Sequence, residues 1–82
     1  MLAFLEAMSG LKPEQVVARP LRWRGQRMCV TRYQTGRQSD GSYHPVLSGI
    51  LPNGQTWDGI PDETVIVDKW ELLTLAEFQA GR

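Results

Sequence analysis

The sequence predicts a mainly β (α+β) domain. The expected form is a small antiparallel meander curled into a half-barrel or SH3-like barrel, with a short C-terminal helix and room for a short N-terminal one. Three observations predict it. Pro52-Asn53-Gly54 separates two extended runs, Tyr43–Leu51 and Gln55–Trp57, as a hairpin turn would. Several β-rich runs follow one another, separated by short clusters of turn residues. Thr74 precedes Glu77 by three residues, which is the spacing of a helix capping box.

The hairpin is the most specific of these. Pro52 presets the first turn dihedral, and Gly54 can take the left-handed conformation that closes a type I turn with a one-residue bulge. This loop sets a register: Leu51 opposite Gln55, Ile50 opposite Thr56, Gly49 opposite Trp57. The Trp57 indole is then expected to lie across the bare backbone of Gly49.

Taken in order, Leu2–Met8 is apolar nearly all round and is expected as a short helix ended by Ser9-Gly10; it must dock to persist. Pro13-Glu14-Gln15 allows a helical turn. Val16–Trp23 reads as a strand interrupted by Pro20, which places it at an edge or a bulge. Arg24-Gly25-Gln26 is a turn, Arg27–Thr35 a strand, and Gly36–Ser42 a polar loop. After the hairpin, Asp58–Asp62 turns the chain, and the β-branched run Thr64–Val67, with room to extend to Trp70, reads as the last strand. Leu73 and Phe78 flank the Thr74 cap as a hydrophobic staple would, and Gly81 supplies the stop. The expected core is Leu21, Trp23, Val30, Leu47, Ile50, Leu51, Trp57, Ile60, Val65, Val67, Leu72, Leu75 and Phe78.

Eighty-two residues make one domain, 1–82, with 1–12 as a more loosely attached N-terminal segment and either Met1 or Met8 as the biological start. Cys29 is the only cysteine, so neither an internal disulfide nor a cysteine-based metal site can form. No apolar run approaches the roughly 18 residues of a membrane span, and the apolar start lacks the basic flank of a signal peptide. A cytoplasmic protein without membrane contact is expected. Having no staple, so small a chain is also expected to self-associate as a homodimer or higher. Both faces of the hairpin look apolar, Val46, Ile50 and Ile60 on one and Leu47, Leu51 and Trp57 on the other, which calls for two covers.

Individual residues offer little chemistry. His44 is the only histidine and has no orienting carboxylate or partner ligand nearby in sequence. Cys29 sits mid-strand between Met28 and Val30, as core filler does. Asp58, Asp62, Glu63, Asp68 and Glu71 match no calcium-loop spacing and read as a solvated, salt-bridged face. Glycines are scattered at turns without a phosphate-cradling motif, so no nucleotide cofactor is expected. The expectation is therefore no catalytic, cofactor-binding or metal-binding residues.

Charge is the unusual feature. Residues 1–41 hold seven basic and three acidic side chains, while residues 42–82 hold two basic and six acidic ones, so a net charge of zero hides a polarised chain. Arg19, Arg22, Arg24, Arg27, Arg32 and Arg37, with Tyr33, fall in one window and are the candidate contacts to a polyanion or partner. Their two uses differ in what they demand. A nucleic-acid surface needs exposed arginines that converge; internal pairing needs Asp58, Asp68 or Glu71 beside them. The leading expectation is a small non-enzymatic module that binds a protein partner or itself, such as an accessory protein of a mobile element or phage. A weak nucleic-acid binder is the alternative, and an enzyme whose site forms only across a symmetric oligomer is the third.

Overall fold

The computed structural model describes residues 1–82. The elements are α1 (Phe4–Ser9), β1 (Val16–Pro20), a 3-10 turn (Leu21–Trp23), β2 (Cys29–Arg37), β3 (Tyr43–Ile50), β4 (Thr56–Gly59), α2 (Glu63–Ile66), β5 (Trp70–Thr74) and α3 (Leu75–Gln79). The strands form one sheet, antiparallel throughout, in the order β4-β3-β2-β1-β5. β1 to β4 are a meander; β5 crosses back to lie beside β1. The sheet stays open, because β4 and β5 are its two edges and never meet. The closed, SH3-like variant of the expected fold therefore does not form.

The hairpin has the expected register. Leu51 N–H donates to Gln55 C=O at 2.9 Å, and Ile50, Gly49 and Ser48 stand opposite Thr56, Trp57 and Asp58. Gly54 sits at φ +89°, and its N–H donates to Leu51 C=O at 2.9 Å. Trp57 lies over Gly49 as expected: a Cβ on Gly49 would be 2.5 Å from the indole. The C-terminal helix also follows its signal. Thr74 Oγ accepts from Glu77 N–H and Glu77 Oε1 from Thr74 N–H, each at 3.0 Å, and Gly81 follows the helix at φ +97°.

Three segments depart from expectation. Pro20 lies in a central strand, not an edge one. Leu21 N–H bonds Lys69 C=O at 2.9 Å, so by alternation the main-chain nitrogen of Pro20 points away from β5, toward β2. The only β1–β2 register pair is Ala18 with Val30, so no ladder bond is lost. The run 64–67 is helical rather than extended. Asp62 Oδ1 accepts from Val65 N–H at 3.0 Å and from Thr64 Oγ at 2.6 Å, and this cap starts α2 despite its β-branched residues. Pro13–Gln15 forms a hydrogen-bonded turn with Glu14 at φ +62°, not a helical one.

The sheet carries apolar clusters on both faces. Phe4, Ala7 and Met8 of α1 pack with Ala18, Val30, Leu47 and Trp70 on one face, so residues 1–12 contribute to the core. On the other face Phe78 of α3 packs with Val17, Cys29 and Leu73. The two terminal helices thus cover opposite faces. Trp70 is fully buried, meets Phe4 edge-on at 5.3 Å and donates Nε1–H to Val65 C=O at 3.0 Å, which ties down α2. It is the centre that the expected core omitted. Ile60, Val67 and Leu72, expected inside, are exposed. For Val67 the helix is the reason, since it turns the side chain outward.

Candidate interaction surface

The arginine window divides in two. Arg19 is buried, opposite Glu71 in register; its Nε donates to Glu71 Oε2 at 3.1 Å and its Nη1 to the Arg82 main-chain oxygen at 2.7 Å. Arg24 grips the same carboxylate in bidentate fashion, Nε to Oε2 at 2.7 Å and Nη2 to Oε1 at 3.1 Å. These guanidinium hydrogen bonds, that of Arg24 first, hold the Glu71 carboxyl below its ordinary range. Arg22 Nε reaches Asp68 Oδ2 at 3.0 Å, and its Nη1 donates to Thr64 Oγ at 3.1 Å. Three of the six arginines therefore hold acids of the opposite half of the chain.

Arg27, Arg32 and Arg37 have no carboxylate within ion-pair distance. They do not converge. Arg32 and Arg37 are five residues apart along β2, opposite Ser48 and Tyr43, and so project from opposite faces. Arg27 is in the turn before β2. Tyr33 is half-covered by Phe4, which it meets edge-on at 5.7 Å. The other candidate groups are likewise separated. His44 Nδ1 lies 3.3 Å from the carbonyl oxygen of its neighbour Pro45. Cys29 is fully buried, and burial pushes its thiol up to about 11. Asp58 accepts from Ser48 Oγ at 2.6 Å. No three His, Cys, Asp or Glu side chains come together.

Two features were not anticipated. The first is the outer edge of β4. Leu51 and Gln55 form a hydrogen-bonded pair, so by alternation Gly49 with Trp57 and Leu47 with Gly59 do too. The N–H and C=O groups of Thr56 and Asp58 then point away from β3, and no strand lies on that side. Exposed Ile60 follows directly. The hairpin register implied this edge, but only the strand order shows that nothing pairs with it.

The second is a hollow of about 390 Å³ on the α3 face, walled by Val17, Ile50 and Leu75 and edged by Glu14 and Arg32. Nothing local in the sequence brings residues 14, 32 and 75 together. The β2–β3 hairpin adds a third exposed element. β4 reaches only to Leu47 and β1 only to Val30, so Gln34–Arg37 and Tyr43–Val46 run on as a two-stranded arm. No helix is long and apolar enough to cross a membrane. No protein-family model matches the chain, and no curated protein or solved structure shows significant similarity to it.

Proposed function

We propose that this chain is a small interaction module that takes an extended segment of a protein partner, or of a second copy, along the outer edge of β4. The observation that carries the reading is the free N–H and C=O pairs of Thr56 and Asp58, with Ile60 exposed beyond them. Strand addition at such an edge draws affinity from main-chain hydrogen bonds and specificity from alternate side chains. A photo-crosslinker at Thr56 should capture one protein, or a second copy, from nuclease-treated lysate, while the same group at exposed Gln79 captures neither. Thr56→Pro removes the outward N–H and should weaken binding of the identified partner about tenfold. No capture from Thr56, or equal binding by the proline variant, counts against edge pairing.

The β2–β3 arm favours a second reading as a nucleic-acid contact. It carries Arg37, exposed Tyr43 and, at its base, Arg32, with both cations free of carboxylates. Because these cations face opposite ways, the binding expected is weak, blind to sequence and lost near physiological salt. Fluorescence polarisation with single-stranded oligomers, wild type against Arg32→Ala/Arg37→Ala, measures it.

A further inference from the structure

We propose that the hollow on the α3 face binds a small zwitterion with an apolar body, of the class of the free aliphatic α-amino acids. This site lies on a different surface from the β4 edge and does not depend on it. Two unusual backbone features from distant parts of the chain converge here. The β2–β3 register slips between Val30 and Arg32, a bulge at Thr31 that sets both Thr31 and Arg32 on the hollow; bulges often re-aim side chains beside sites. Glu14 is one of only two non-glycine residues with positive φ, a strained state. The turn is held by the N–H groups of Gln15 and Val16, both donating to Lys12 C=O at 3.0 Å.

The chemistry of the lining sets the ligand class. Val17, Ile50 and Leu75 give branched aliphatic walls. Leu75 is fixed twice over, by the Thr74 cap and by its own N–H donating to Gln15 C=O at 2.9 Å, which ties this wall to the Glu14 turn. Arg32 and Glu14 both border the hollow, and their charged groups pair neither with each other nor with any other ionic side chain. A ligand bearing only a carboxylate would suit Arg32 but be repelled by Glu14; one bearing only an amine would meet the converse. A zwitterion satisfies both, and an aliphatic side chain fills the walls. At about 390 Å³ the hollow is at the small end of the roughly 300–1,000 Å³ range of ligand sites.

The test is a two-dimensional amide NMR titration of the full chain with L-leucine, isocaproate and isoamylamine, repeated on Arg32→Gln and Glu14→Gln. Both substitutions are at exposed positions. Leucine should move the amides of Val17, Thr31, Arg32 and Leu75, and each variant should weaken it about tenfold, as expected for one charge-assisted contact. Isocaproate should bind more weakly than leucine, lose its remaining affinity in Arg32→Gln, and improve in Glu14→Gln. Isoamylamine should show the reverse pattern. No leucine-dependent shifts at millimolar concentration, shifts centred elsewhere, or equal affinity in wild type and both variants would overturn the assignment.

Discussion

Arg19 and Glu71 face each other across β1 and β5, and the arginine is almost wholly enclosed while the carboxylate keeps an edge to solvent. Because Glu71 also binds Arg24, one carboxylate is shared by two guanidiniums. Loss of its charge would leave the Arg19 guanidinium buried without a countercharge, with only neutral oxygens to accept from it. Glu71→Gln should therefore cost about 2–4 kcal/mol in urea denaturation, below the upper range of fully enclosed pairs because Glu71 is partly hydrated. Arg24→Ala, which removes a solvent-exposed partner, should move the urea midpoint far less than Glu71→Gln does.

The same pair sets a pH dependence. The Glu71 carboxyl is held below its ordinary range in the folded chain, so the folded state binds fewer protons than the unfolded one. Its contribution is fully present above about pH 4.3, the ordinary Glu value, and is lost as pH falls through the depressed folded value. The stability gap between wild type and Glu71→Gln should be constant near neutrality and shrink below pH 4.3. A gap independent of pH down to acid unfolding would show that the carboxylate charge contributes nothing.

Gly49 cannot carry a side chain. A Cβ there would collide with the Cys29 main-chain oxygen as well as the Trp57 ring, and the first is not free to move. Gly49→Ala should cost at least about 3 kcal/mol, the top of the overpacking range, or prevent folding. Gly25→Ala is the control: nothing lies within 4 Å of a Cβ at that site. It should be neutral or stabilise by about 0.4–1 kcal/mol. Equal effects of the two substitutions would contradict the packing of Trp57 over Gly49.

What was legible in the sequence was local. Pro52, Asn53 and Gly54 determine their own turn, and the register follows from it over the next few residues. Thr74 and Glu77 satisfy each other's main-chain N–H groups within one turn. Illegibility begins where a distant partner decides. Pro20 looks like an edge residue until β2 is seen to leave before reaching it. Trp70 becomes the core because α1, β1 and the 3-10 turn arrive from three directions. The charge split announced pairing between the halves, but only the fold matches Arg22 to Asp68 and gives Arg19 and Arg24 the same acid. The hollow beside Arg32 needs both a bulge and a strained turn, neither of which leaves a pattern in the chain.

The helix at Glu63–Ile66 rests on its cap more than on propensity, since Thr64, Val65 and Ile66 are all β-branched. The hydroxyl of Thr64, first, and the N–H of Val65 hold the Asp62 carboxyl below its usual range, as a charge-assisted cap does. Asp62→Ala should lower the urea midpoint, and Asp62→Asn should lower it less, because asparagine still caps. Since Val65 C=O accepts the Trp70 indole, fraying of α2 should also increase the solvent exposure of Trp70. A red shift in tryptophan emission in Asp62→Ala, absent in Asp62→Asn, is the expected signature. An unchanged midpoint and emission would show that the helix does not depend on this residue.

Cys29 tests how tightly the second cluster is closed. Its side chain is fully buried with Val17, Leu73 and Phe78, its Sγ lies 3.9 Å from the Ile50 carbonyl oxygen, and burial raises its thiol to about 11. Both protonation and access thus oppose reaction, because the thiolate is the nucleophile. A thiol-specific reagent at neutral pH should modify the native chain only through opening, at a rate that rises with urea in step with unfolding. Phe78→Ala, which removes the α3 cover, should accelerate labelling at least as much as its loss of about 3–5 kcal/mol of stability implies. Rapid labelling of the native chain, independent of urea, would mean that α3 leaves this face open in solution.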